Sequence, residues 1–147
     1  MKIITKKDRI IIYINKLLID FNLVIKEEIE DFVKRLVIKL KKYKISGFYK
    51  VDVYQNDNYG LIIDMKKQDS FDFFPELIDL KLYIYYDSEF YLKIEDYFLV
   101  KDIKDISFLD GFYYVKVNNL SDLELLSLVE FGEILYGKEV NNLIYEN

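Results

Sequence analysis

The apolar residues of this chain follow two different spacings, and the changes between them mark out its elements. From residue 25 onward, Ile25, Ile29, Phe32, Val33, Leu36, Leu40 and Tyr43 recur at helical spacing along one stripe. Glu27, Glu28, Glu30 and Asp31 fill the opening turns of that stretch, and Lys34, Arg35, Lys39, Lys41 and Lys42 its closing turns. This order sets negative charge at the positive end of the helix dipole and positive charge at the negative end. The pattern predicts a helix over residues 26–43.

Elsewhere the period shortens towards two. Residues 2–5 and 10–14 read as strands separated by a charged turn, the second of them a run of β-branched isoleucines and one tyrosine. Gly47 opens an alternating strand over 48–54, and Gln55-Asn56-Asp57-Asn58 turns it into a second strand over 60–66, so a hairpin is expected. Strands over 80–86 and 90–95 are expected to form another hairpin through Asp87-Ser88-Glu89, with a weaker strand over 98–103. Residues 112–117 follow Gly111 and carry bulky apolar groups on both faces, as a buried strand does. Ser121 and Glu124 then form a capping-box pair ahead of an apolar run, predicting a second helix over about 121–136, with Gly132 and Gly137 as its two candidate stops.

No Pro-, Gly- or Ser-rich linker interrupts the chain. The one proline, Pro75, lies in Asp69-Ser70-Phe71-Asp72-Phe73-Phe74-Pro75, which reads as a crossing loop between halves because its three phenylalanines favour burial. The expected architecture is α+β: a mainly antiparallel sheet of about six to eight strands, with the two principal helices packed on it. The 147 residues are expected to form a single domain with possible sub-halves, 1–67 basic and 76–147 acidic, closed over one aromatic interior.

Composition narrows the chemistry. The chain has no His, Cys, Trp or Ala, 19 Lys against 2 Arg, 14 Tyr and 11 Phe. The Ile-, Lys-, Asn- and Tyr-rich usage points to an AT-rich coding sequence, as in low-GC bacteria or their phages. Lack of His and Cys removes His-based triads, thiol nucleophiles and the usual zinc sites. The apolar runs are far shorter than the roughly 20 residues that span a bilayer, and the charged first residues do not read as a signal peptide. No membrane association and a cytoplasmic address are expected. The net charge of −5 hides an uneven distribution: residues 1–67 hold 15 basic and 9 acidic side chains, and residues 68–147 hold 6 and 17.

One constellation could carry catalysis. Asp52 lies on the first strand of the hairpin after the first helix, and Asp64 and Lys66 lie on the second, two residues apart and therefore on one face. Two carboxylates on adjacent strands could hold Mg²⁺, and the lysine could orient water or steady a phosphate. Asp52, Asp64 and Lys66 resemble the core of the restriction-endonuclease-like nucleases, whose pattern is an Asp followed by Asp/Glu-x-Lys after an apolar strand. Asp64 stands where that family more often has Glu. The resemblance implies an Mg²⁺-dependent nuclease, with the basic surplus around Lys34–Lys50 facing phosphate. The strand pair over 82–92 also resembles a hairpin of bacterial proteolytic adaptor proteins of the MecA type, but the order of elements after it departs from theirs and no residue role carries over.

The aromatic and acidic second half supports a different expectation. Phosphate would be repelled there, whereas tyrosine serves protein interfaces with an apolar ring and a polar tip. The leading expectation is a non-enzymatic protein-binding module of inhibitor, immunity or adaptor type, without a cofactor, that meets a basic protein partner. Tyr85, Tyr86, Asp87, Glu89 and Tyr91 are the expected contact residues. Nucleic acid and Mg²⁺ enter only under the nuclease alternative.

Overall fold

The computed structural model describes residues 1–40, 45–68 and 78–146. Nine strands in two antiparallel-dominated sheets and four α-helices are present among them, an α+β architecture. No helix among the described residues is long and apolar enough to cross a membrane. The chain divides into two compact units, one comprising Met1–Gln55 and Gly60–Tyr86, the other Asn56–Tyr59 and Asp87–Asn147.

In the first unit, β1 (Lys2–Lys6) and β2 (Arg9–Asn15) form an antiparallel hairpin, and β2 pairs antiparallel with β4 (Gly60–Lys67). β3 (Gly47–Asn56) lies beside β4, and β5 (Ile78–Tyr85) adds parallel to β3, giving the order β1-β2-β4-β3-β5. Helix α1 (Lys26–Lys39) covers one face. Its stripe of Ile29, Val33, Leu36 and Val37 meets Ile10, Ile12, Ile14, Val51, Val53, Leu61, Ile63 and Met65, which alternate inward from β2, β3 and β4. Of the stripe read from the sequence, Ile29, Val33, Leu36 and Leu40 are buried and Phe32 half-buried, whereas Ile25 at the N-cap is exposed. Leu40 caps the helix, and its expected extension to residue 43 falls outside the described residues. The crossing loop around Pro75 does so too.

The second unit contains the four-stranded sheet β7-β8-β6-β9, made of β6 (Tyr91–Ile94), β7 (Ser107–Leu109), β8 (Phe112–Lys116) and β9 (Glu133–Leu135). The β7–β8 hairpin closes through Asp110 (φ 50°) and Gly111 (φ 86°). Two successive left-handed residues in a two-residue loop are what the right-handed twist of a hairpin favours. Helices α2 (Tyr97–Val100), α3 (Asp122–Leu128) and α4 (Lys138–Glu146) complete the unit. The Ser121–Glu124 capping box forms in both directions, the Glu124 amide donating to Ser121 Oγ and the Ser121 amide to Glu124 Oε1. Asn56 is buried here. It donates to Ser88 O at 2.8 Å and to Asn118 Oδ1 at 2.9 Å, and it accepts from the amides of Asn58 and Tyr59.

Four expectations are corrected. Residues 121–136 do not form one helix: α3 stops at Leu128 and β9 pairs with β6. Gly132 permits this, since a Cβ there would lie 3.0 Å from Ile94 and 3.1 Å from the carbonyl of Lys93. Strands β5 and β6 are not a hairpin but belong to different sheets, β5 lying parallel to β3. Residues 98–103 are not a strand, because Asp96 Oδ1 accepts from the Phe98 amide and starts the short helix α2. The aromatic interior is found only in part: among the described residues the buried cluster of the first unit is aliphatic but for Tyr49 and Met65, whereas the second unit buries Tyr59, Phe90, Tyr114 and Tyr136.

Candidate functional site

Two places could carry function, one in each unit. The first is the sheet face turned away from α1. Alternation puts Arg9, Lys50, Asp52, Tyr54, Asp64, Lys66, Tyr83 and Tyr85 on it. Asp52 and Asp64 are both buried, 4% and 2% exposed. Arg9 forks onto Asp64, Nε to Oδ1 at 2.9 Å and a terminal nitrogen to Oδ2 at 2.6 Å. Asp52 accepts a long hydrogen bond, 3.4 Å, from the Tyr85 hydroxyl, and the Tyr85 ring stacks on Tyr54 with centroids 5.1 Å apart. Burial, then the negative charges of Asp52 and Asp64, push the Tyr54 phenol up to about 12, with Arg9 acting in the opposite sense. The Tyr85 phenol is raised by burial first and by Asp52 second, while Lys50 opposes the shift.

This geometry sets the terms for the Asp52–Asp64–Lys66 constellation. Both oxygens of Asp64 are engaged by one guanidinium, a planar fork that matches a carboxylate better than any single-point cation. A metal ion would have to displace Arg9 to use Asp64. Lys66 is half-buried and lies opposite Arg9 in the strand register. No group of three or more Asp or Glu residues among those described is arranged to hold a metal ion. The arrangement chemically does one evident thing: it neutralises a buried carboxylate and ties β2 to β4.

The residues expected to contact a partner are divided between the units. Tyr85 and Tyr86 belong to the first, and Asp87, Glu89 and Tyr91 to the second. Tyr85 and Tyr86 are exposed; Asp87 is exposed in a left-handed turn conformation (φ 49°). Glu89 pairs with Lys116 at 3.1 Å. Tyr91 is half-buried against the small cluster of Tyr114, Leu135 and Val140, so much of its ring has a structural role.

The second place was not singled out by the sequence pattern. Four rings form a continuous chain in the second unit: Phe98 to Tyr97 (centroids 6.2 Å apart), Tyr97 to Tyr113 (5.7 Å) and Tyr113 to Phe108 (4.8 Å). Tyr97 is 52% exposed, Phe98 75% and Phe108 62%. Local structure explains the display. The Asp96 cap starts a single helical turn that buries Val100 completely and so sets Phe98, two residues earlier, on the opposite side. The tight Asp110-Gly111 hairpin sets Phe108 across from Tyr113. The available signals were Asp96 as an N-cap and the Asp-Gly dipeptide as a hairpin turn.

The charge around these rings is one-sided. The second unit holds 14 acidic and 5 basic side chains, a net of −9, and the first holds 12 and 16, a net of +4. Glu95, Asp96, Asp102, Asp105 and Asp110, all exposed, surround the ring-bearing residues in sequence, with Lys101 and Lys104 among them. Lys101 Nζ lies 5.9 Å from the Phe98 centroid. No protein-family model matches the chain, and no curated protein or solved structure matches it.

Proposed function

We propose that this chain is a non-enzymatic protein-binding module, of inhibitor, immunity or adaptor type, that meets a basic protein through its second unit. The supporting observation is the four-ring chain, three of whose rings are exposed, on a unit of net charge −9. Scattered exposed apolar residues are ordinary, but contiguous exposed rings are characteristic of interfaces. Aromatic side chains contribute large contact areas at little entropic cost and dominate interface hot spots. The acids contribute differently: they steer encounter and select the sign of the partner more than they set affinity. Asp87 and Glu89 are further acids of the same unit, and Tyr97, Phe98 and Phe108 serve as the apolar anchors.

The test is affinity capture from the source cell with wild-type protein, with Phe98→Ala and with Asp87→Lys/Glu89→Lys. The expected result is a basic protein whose capture weakens with salt, falls about tenfold or more with Phe98→Ala as an anchor loss should, and falls with the double reversal. A partner whose capture ignores both variants and salt would remove this reading.

A further inference from the structure

We infer that the four-ring chain receives arginine side chains from a basic segment of the partner. The inference rests on the protein-binding reading and specifies what that surface recognises. Three features combine. First, the rings are accessible: Tyr97, Phe98 and Phe108 are each more than half exposed. Second, the unit that carries the rings is negative, with a net charge of −9, and five acidic against two basic residues lie between positions 95 and 113. A phosphate-bearing ligand is repelled by such a surface and a cation is drawn to it. Third, the rings adjoin one another: neighbouring centroids lie 4.8 to 6.2 Å apart, with planes tilted by 45° to 62°, so they form one aromatic patch.

Arginine is favoured over lysine by shape. Its planar guanidinium stacks flat on an aromatic face and is weakly hydrated, whereas an ammonium gives up a tighter water shell. The unit already uses its rings in this way: Lys93 lies 4.2 Å from the Phe112 centroid and Lys101 lies 5.9 Å from that of Phe98. Lys101 acts as an internal competitor at the end of the row, so Lys101→Met is expected to strengthen cation binding while leaving the rings in place.

The experiment is a titration of the full chain, followed by the aromatic-ring NMR signals, with three short synthetic peptides. They carry arginine, lysine or the neutral isostere citrulline at the same positions. The arginine peptide is expected to shift the signals of Tyr97, Phe98, Phe108 and Tyr113, and to bind about tenfold more tightly than the citrulline peptide, with lysine between them. Phe98→Leu keeps an apolar side chain but no ring, and should weaken arginine-peptide binding about threefold to tenfold; Phe98→Tyr should restore it. Equal affinities for the arginine and citrulline peptides, or shifts confined to other residues, would overturn the inference. If wild-type protein captures a partner and Phe98→Leu captures it equally well, the arginine site fails while the binding module stands. If no partner is captured while the arginine peptide still binds through the rings, the module fails and the site stands.

Discussion

Removing Arg9 tests whether the buried carboxylate on β4 is structural. The Asp64 side chain is 3% exposed and Arg9 34%, and the guanidinium holds both carboxylate oxygens with bonds of 2.9 and 2.6 Å. Around it the face is apolar: Ile11 stands opposite Asp64 in the β2–β4 register, and both Ile11 and Ile62 are buried. Arg9→Met keeps the reach of the side chain and deletes the charge. Breaking one side of a buried pair costs about 3–5 kcal/mol. Arg9 is a third exposed, which lets water assist, so the expected loss lies near the bottom of that range, about 3 kcal/mol. With a urea slope of about 2 kcal/mol per molar, the midpoint should fall by about 1.5 M. Arg9→Met/Asp64→Leu, which removes both charges, should recover most of the loss, because an apolar pair of similar volume replaces the ion pair. Urea denaturation followed by circular dichroism reads all three proteins. A loss below about 0.5 kcal/mol for Arg9→Met, the size of an ordinary surface change, would refute the reasoning. So would a double variant less stable than the single one.

Three further outcomes are expected. Gly60→Ala should be severely destabilising, because a Cβ at φ +132° would run into the carbonyl oxygen of Ile14 and lie 2.7 Å from the amide of Lys16; Gly111→Ala has nothing within 4 Å and should cost only the left-handed penalty of about 1–2 kcal/mol. Thermal melts of the two variants compare them directly. Ser121→Ala should cost about 1 kcal/mol by removing the capping box of α3, measurable by urea denaturation. Tyr54 titrates at about 12 in the fold against 10 unfolded, so from pH 10 upward the unfolded chain loses this proton first and stability falls as pH rises to about 12. Ultraviolet titration should show a late tyrosine step that Tyr54→Phe removes.

The sequence carried the elements better than their partners. The stripe from Ile25 to Leu40 is legible because helical periodicity and burial are one physical fact, and the α1 stripe indeed faces the sheet. The β3–β4 neighbours and the α3 capping box were legible for a similar reason: local turn and cap chemistry fixes them. What failed was long-range choice. Tyr85 and Tyr91 flank a short polar segment that reads as a hairpin turn, yet β5 runs beside β3, more than thirty residues earlier in sequence, and β6 pairs with β8 and β9. Nothing local distinguishes these outcomes, since Leu80, Leu82 and Ile84 bury one face of β5 whichever strand lies beside it. Asp64 shows the same limit at a side chain. Its place on β4 is readable from alternation, but its engagement with Arg9, 55 residues earlier, follows only from the β2–β4 register.

The surplus of aromatic residues now has a physical reading. Isoleucine, leucine and valine fill the interior of the first unit, with Tyr49 among them and Phe21 and Phe32 packed at its margin. A core already closed by aliphatic side chains does not require the remaining rings, and each ring left in water forgoes the burial that normally compensates for its exposure. Some of these rings are held in place by neighbours on the sheet, as Tyr85 is by Tyr54 and Asp52. The chain from Phe98 to Phe108 is different: a helical turn anchored by Val100 and a two-residue hairpin hold its rings outward on rigid elements. Exposed apolar area fixed by capped and tightly turned backbone adds no burial to the free protein and gains it only on association. That asymmetry makes the aromatic row, rather than the buried carboxylates, the place to look for what this chain does.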